Sequence, residues 1–185
     1  MPPDDPGSRV AIPSFRFVYD NYFDFVWASA RRLGVTPDAI DDVVQDIFMV
    51  VHSRLQTLEH PASLRSWLYG VVRRTVSTYH RGRRTRTARE FSEPTVEDNS
   101  SPGQPSPLDL AELDDDLKLL WRLLGEVDAP KREVLILAEL EEMTMPEIAE
   151  ALGIPMNTAY SRLRVARLEF NDAFLRHRAA QRTRQ

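Results

Sequence analysis

The sequence predicts an all-α protein of two small helical domains joined by a flexible linker, and three observations predict it. Apolar residues recur at helical spacings of three and four from Ser14 to about Thr85 and again from Asp109 to Arg178, and no useful length of chain alternates with a period of two. The glycines, Gly70 excepted, are expected at turns. Between Glu90 and Leu108 the pattern collapses into Pro94, Pro102, Gly103, Pro105, Pro107 and several serines, a composition that favours an extended chain over a packed element. The expected organisation is a disordered segment over 1–13, a domain over 14–88, a linker over 89–108, a domain over 109–178 and a tail over 179–185. The chain from Arg176 to Gln185 is expected to fray.

In the first domain the spacing predicts helices from Ser14 to Leu33, from Pro37 to Leu55, and from Ala62 or Ser63 to about Thr85. The second of these has an apolar stripe at Ile40, Val43 or Val44, Ile47, Val50 and Val51. Its other face is acidic, with Asp38, Asp41, Asp42, Gln45 and Asp46 inside about two turns, more acid than a helix N-terminus requires. A solvated face and a docking surface for a basic partner are both open readings of it. A metal-dependent nuclease using Asp41, Asp42 and Asp46 is the weakest, because a two-metal site draws its carboxylates from several elements.

The third helix runs from aromatic residues into a cationic end: residues 73–89 hold seven arginines and no acid. Trp67, Leu68, Val71, Val72 and Thr75 fit a core-facing stripe. The arginines do not. Aromatic rings beside a basic track are the ingredients of single-stranded DNA binding, in which bases stack and phosphates pair with arginine. Tyr69 and Tyr79 are the aromatic residues expected at the surface, and Trp67 is expected in the core.

The second domain ends in a helix-turn-helix. Thr144 is placed to cap a helix with Glu147 closing a capping box, and Pro146 is tolerated in a first turn. Ile148, Ala149 and Leu152 make its inner face, Gly153 supplies the positive φ of the elbow, and Pro155 starts the next helix. There Ala159, Leu163, Ala166 and Phe170 recur at spacings of four, three and four and so share one buried stripe. Asn157, Thr158, Tyr160, Ser161, Arg162, Arg164 and Arg167 face outward, as base-reading residues of a recognition helix do.

Charge is segregated. The formal net charge is −4, but residues 1–89 carry +4, residues 90–150 carry −13 and residues 151–185 carry +5. Two basic ends around an acidic middle point to assisted DNA binding, with the acid serving a protein partner or masking non-specific affinity. The 185 residues, 42% hydrophobic, suffice for folded cores. No run of about 18 apolar residues could span a membrane, and the Met-Pro-Pro-Asp-Asp-Pro start is unlike a signal peptide, so a cytosolic location without membrane insertion is expected. There is no cysteine, and His52, His60, His80 and His177 are scattered, so no metal or other cofactor is expected.

Three motifs in order carry a family resemblance: Asp41-Asp-Val-Val-Gln-Asp-Ile-Phe48, then Arg65-Ser-Trp-Leu-Tyr69 leading into the arginine-rich helix, then Arg132-Glu-Val-Leu135 with Ile148-Ala-Glu-Ala-Leu-Gly-Ile-Pro155 and Ser161-Arg-Leu163. Over about residues 14–178 the chain resembles a bacterial RNA polymerase sigma factor of the extracytoplasmic-function group, which is not an enzyme. The resemblance implies a factor that binds core RNA polymerase and directs promoter-specific initiation in a stress or envelope-signal response, held in check by an anti-sigma factor. It implies that Asp38, Asp41, Asp42, Gln45 and Asp46 dock on the polymerase clamp. It implies that Leu55–Ser63 and the start of the third helix capture an extruded base of the minus-ten element, with Arg65, Trp67, Tyr69, Arg73, Arg74, Tyr79, Arg81, Arg83 and Arg84 along the melted strand and adjoining duplex. The recognition-helix residues above would read the minus-thirty-five element. The linker acids Glu90, Glu93, Glu97 and Asp98 would pass near the RNA exit path.

The chain departs from the family pattern at Tyr160, Val165 and Arg164 in the recognition helix, and at Arg74, Thr78 and Tyr79 in the third helix, so unusual promoter preferences are expected. The alternative reading is a free-standing helix-turn-helix regulator, which leaves the acidic helix and the arginine-rich helix without a task.

Overall fold

The computed structural model describes residues 12–58, 64–90 and 114–182, with residues 84–90 described by their backbone alone. Seven α-helices make up the described chain: α1 (Phe15–Arg32), α2 (Ile40–Arg54), α3 (Leu64–Glu90), α4 (Asp115–Gly125), α5 (Ala129–Glu139), α6 (Met145–Leu152) and α7 (Met156–Arg182), with a 3₁₀ turn at Leu55–Thr57 after α2. No strand occurs among the described residues, so the all-α expectation holds. The segment 1–11, the 89–108 linker apart from its first two residues, the acids Glu93, Glu97 and Asp98, residues 59–63 of the expected base-capturing stretch, and residues 183–185 lie outside the described residues, as do the side chains of Arg84 and Glu90.

The first domain is a three-helix unit. Ser14 caps α1, its hydroxyl oxygen accepting from the Phe17 backbone N–H at 3.2 Å. Gly34, at φ +89°, ends the helix; the Gly34 N–H donates to the Arg31 carbonyl and the Val35 N–H to the Ala30 carbonyl, which satisfies the last turn. The second helix starts at Ile40 rather than Pro37. The Ala39 N–H donates to the Thr36 carbonyl and makes a turn of Pro37–Ala39. Hydrogen bonds from Thr36 and from its own backbone hold the exposed Asp38 carboxyl below its usual range in that turn. α3 runs to Glu90, past the expected end at Thr85, because no helix breaker intervenes before Pro94. Val18, Val26, Ile47, Val51, Leu68 and Val72 are fully buried where the three helices meet, each contributing on the order of 1.5–3 kcal/mol.

The second domain packs α4, α5 and α6 around the first half of α7, burying Leu124, Val127, Val134, Leu137, Ile148, Leu163 and Ala166. Salt bridges brace its outside: Lys131 to Glu169 at 2.6 Å, Arg167 to Glu139 at 2.6 Å and Arg176 to Glu126 at 2.7 Å. The expectation of a frayed end from Arg176 is corrected by the last of these. α7 continues through Arg182, and Arg176 is tied back to the turn after α4.

Two tethered, independent bodies would leave α3 facing solvent. Instead α3 lies against α6, and the two domains share one continuous apolar core.

Candidate nucleic-acid and partner-binding surfaces

The helix-turn-helix forms through local chemistry. The Glu147 carboxylate accepts from the Thr144 backbone N–H at 2.8 Å and from its hydroxyl at 2.7 Å, completing a capping box. Gly153 adopts φ +64°, and the Gly153 and Ile154 N–H groups close the end of α6 on the Glu150 and Ala149 carbonyls. The Thr158 and Ala159 N–H groups donate to the Pro155 carbonyl, which starts α7. Ala159, Leu163 and Ala166 are buried and Phe170 is half-buried against them. Asn157, Tyr160, Ser161, Arg164 and Arg167 are exposed; Thr158 and Arg162 are half-buried, nearer the inner stripe than the sequence suggests. Arg167 is held by Glu139 through Nε at 2.8 Å and Nη2 at 2.6 Å. The exposed tip of α7 therefore presents Asn157, Tyr160, Ser161 and Arg164.

α3 has two faces. Arg74, Arg81 and Arg83 are exposed, and with His80 the first two line a cleft whose far wall is Glu150 to Gly153 of α6. Arg65, Tyr69 and Arg73, spaced by four residues, form a second stripe turned toward the second domain. Arg65 Nη1 donates to the Glu141 carbonyl at 2.7 Å, and its guanidinium lies 5.1 Å from the centre of the Phe25 ring. The neighbouring Ser66 hydroxyl donates to Glu150 at 2.5 Å.

The expectation that Tyr69 and Tyr79 are the exposed rings is corrected. Tyr69 is 4% exposed, and its hydroxyl donates to Glu133 of α5 at 3.0 Å, a carboxylate that also receives Arg73 at 3.2 Å. Burial, reinforced by the Glu133 charge, pushes the Tyr69 phenol well above its ordinary range. Tyr79 is half-buried, its hydroxyl 3.0 Å from that of Thr36. Trp67, expected in the core, is half-buried against it, and so is Thr75. Leu68, Val71 and Val72 are buried as expected.

On α2, Ile40, Val43, Val44, Ile47 and Val51 are buried and Asp41, Asp42, Gln45 and Asp46 are exposed, so both faces fall where the periodicity puts them. Asp38 lies off the helix in the preceding turn. Beside the acidic face runs an apolar groove between α1 and α2 lined by Phe15, Tyr19, Phe23, Val44, Phe48 and Met49, with Asp41, Gln45 and His52 on its walls. The Tyr19 and Phe48 rings are 4.8 Å apart, and Phe23 stacks on Phe48 at 6.0 Å. Among the described residues no group of three or more His, Cys, Asp or Glu is arranged to hold a metal ion.

Two domain descriptions match the chain in the order of its two helical units. Residues 18–86 match sigma-70 region 2, and residues 117–170 match sigma-70 region 4. The chain belongs to the sigma-70 family. Its relatives include the ECF RNA polymerase sigma factor SigE of Mycolicibacterium smegmatis, 25% identical over 177 residues, spanning 94% of this chain and 66% of that one. The RNA polymerase sigma factor CnrH of Cupriavidus metallidurans is 26% identical over 147 residues, spanning 77% of each chain. The ferric citrate uptake sigma factor FecI of Escherichia coli is 28% identical over 159 residues, spanning 83% of this chain and 87% of that one. In fold, this sigma factor is similar to RpoE of Bartonella quintana, solved in complex with the anti-sigma factor NepR, with a TM-score of 0.62 at 22% identity over 86% of this chain and 96% of that one. It is also similar to CnrH solved with the cytosolic domain of CnrY, with a TM-score of 0.60 at 21% identity over 86% of both.

Region 2 of the sigma factor therefore comprises α1–α3, and region 4 comprises α4–α7. Residue-level reading of the sequence missed Glu133, Glu141 and Glu150, the region 4 acids that meet α3. Their only signal was the −13 charge of residues 90–150, which does not say which acids turn inward. Glu141 is buried and paired with Arg32 of α1. The sigma-70 family is not an enzyme family, and no described helix of this sigma factor is long and apolar enough to cross a membrane.

Proposed function

We propose that this sigma factor docks on core RNA polymerase through the acidic face of α2 and reads a promoter with α3 and α7, acting in the cytoplasm by binding rather than by catalysis. The observation that carries the reading is the separation of charge by helix: acid outward on α2, arginine outward on α3 and α7. An acidic helix face beside an aromatic groove fits a basic, amphipathic partner, with Asp41, Asp42, Gln45 and Asp46 as the polar contacts and the Phe15–Tyr19–Phe48 groove taking apolar side chains. Asp38, in the preceding turn, contacts the edge of such a partner.

On α3, Arg74, Arg81 and Arg83 track phosphates, with Arg84 continuing the run. Arg65, Tyr69 and Arg73 supply contacts to a melted minus-ten strand once the stripe they share is free, with Trp67 and Tyr79, half-buried on α3 outside that stripe, as the further aromatic contacts. On α7, Asn157, Tyr160, Ser161 and Arg164 read base edges of the minus-thirty-five element, with Thr158, Arg162 and Arg167 at the phosphate margin. An anti-sigma factor, of the kind that RpoE of Bartonella quintana binds in its solved complex with NepR, is the partner expected to hold the factor inactive, and a stress or envelope signal the event that releases it.

The test is the affinity of purified core polymerase for the full chain and for Asp42→Arg and Asp46→Arg. Both sites are exposed, so the fold tolerates the change. A loss of tenfold or more in core affinity is the expected result, and unchanged affinity in both variants overturns the docking assignment.

A further inference from the structure

Two of the exposed residues at the tip of α7 are chemically distinctive. Tyr160 is a large ring left 55% exposed in the first turns of the helix. Arg164 is also exposed and follows it by four residues, so the two share one edge of the helix. Among the described residues no hydrogen bond, ion pair or ring contact engages either side chain. The neighbouring arginines are placed otherwise. Arg162 is half-buried and points about 160° away from Arg164, and Glu139 receives Arg167 at 2.6 and 2.8 Å. Asn157 and Ser161 complete the tip with short polar groups, and a serine hydroxyl, which both donates and accepts, discriminates little between bases. The tip thus offers a free guanidinium and a free ring.

Each of these groups suits a different base feature of the major groove. Guanine presents N7 and O6 as paired acceptors for an arginine, and thymine is the base that presents an apolar group, its C5-methyl. The Tyr160 hydroxyl can reach a phosphate, which adds affinity without sequence choice. Its ring faces offer apolar contact, which the thymine methyl returns.

We infer that Tyr160 selects a thymine in the minus-thirty-five element by packing its ring on the C5-methyl, and that Arg164 selects a guanine about two base pairs away. The rise along α7 from Tyr160 to Arg164, about 6 Å, corresponds to about two base-pair steps of the duplex. The inference rests on the assignment of α7 to the minus-thirty-five element and goes beyond it in naming the bases and the atoms read.

The test uses holoenzyme assembled from core polymerase and the full chain, with the minus-thirty-five region of a promoter randomised and the bound sequences selected. Wild type is compared with Tyr160→Phe, Tyr160→Ala and Arg164→Ala, all at exposed positions. Wild type and Tyr160→Phe are expected to select the same thymine and guanine. Tyr160→Ala loses the preference for the thymine, and Arg164→Ala that for the guanine. Deoxyuridine in place of the selected thymine removes the methyl group and nothing else. It is expected to weaken wild type and Tyr160→Phe about fourfold, the worth of one buried methyl, and to leave Tyr160→Ala unaffected. 7-Deazaguanine in place of the guanine removes the N7 acceptor and is expected to weaken wild type about tenfold while leaving Arg164→Ala unaffected. A silent deoxyuridine substitution in wild type, or a loss in Tyr160→Phe equal to that in Tyr160→Ala, overturns the methyl contact. A silent 7-deazaguanine substitution overturns the guanine contact. If neither alanine variant alters the selected element, the assignment of α7 as its reader has failed as well; if they alter it while the modified bases are silent, that assignment stands and the named contacts have failed.

Discussion

The Tyr69 hydroxyl of α3 donates to the Glu133 carboxylate of α5 across 3.0 Å, linking region 2 to region 4 through a ring that is 4% exposed. Burial and the Glu133 charge both favour the neutral phenol and raise its pKa in the folded state above the ordinary 10.0. The proton is thus bound more tightly in the folded protein than in the unfolded chain. The resulting stability is fully present below pH 10 and is lost as pH rises from there through the folded-state pKa. Urea titrations between pH 8 and pH 11 should show a steeper loss above pH 10 in wild type than in Tyr69→Phe. Equal slopes would remove the linkage.

Two positive-φ residues predict opposite signs. Gly153 at φ +64° has open space where a Cβ would stand, so Gly153→Ala strains the backbone without a clash and should cost about 1 kcal/mol. Glu142, at φ +52° between α5 and α6, carries that strain already. Glu142→Gly relieves it, and the gain is reduced by the added freedom of glycine in the unfolded chain, so stability should be unchanged or rise by up to about 1 kcal/mol. Thermal melts of both variants decide it; a marked loss for Glu142→Gly would contradict the account.

Arg132 is 3% exposed, with Nε and Nη1 buried and unpartnered among the described residues. Burial pushes its pKa down, the direction expected of a cation short of partners. Arg132→Met keeps an unbranched apolar stem and removes the guanidinium with its charge. Chemical denaturation should show stability unchanged or increased by about 1–2 kcal/mol, and a loss of that size would reveal a partner for the guanidinium.

The two arginine-bearing helices should fail differently on promoter DNA in the polymerase holoenzyme. Arg164→Ala, at the exposed tip of α7, should weaken binding about 10- to 100-fold on a preferred minus-thirty-five sequence and relax discrimination at one position. Arg74→Ala should weaken all sequences alike and lower the salt slope by about one. Sequence-independent loss for Arg164→Ala, or an unaltered slope for Arg74→Ala, contradicts the assignment.

What the sequence disclosed follows from the range of the interactions. The helix-turn-helix was legible to the residue because Thr144, Glu147, Gly153 and Pro155 act within one turn of the chain they shape. The faces of α2 were legible because a stripe such as Ile40, Val44, Ile47 and Val51 needs only a periodicity. Its start was misplaced because Thr36 and Asp38 offer the backbone a competing turn. Tyr69 was misread for a different reason. Its partner Glu133 is 64 residues away, and no spacing rule connects a tyrosine on one helix with an acid on a helix of another domain. Separations of 76 and 84 residues hide the roles of Glu141 and Glu150 in the same way.

Promoter-specific initiation by core polymerase tests the central claim most directly. Purified core and the full chain are given a pool of random-sequence promoters, and runoff transcripts are sequenced. The account predicts initiation that requires both components, selects two sequence elements, and falls tenfold or more with Asp42→Arg or Asp46→Arg. Failure to bind core, together with specific retention of duplex DNA by the isolated chain, would contradict it.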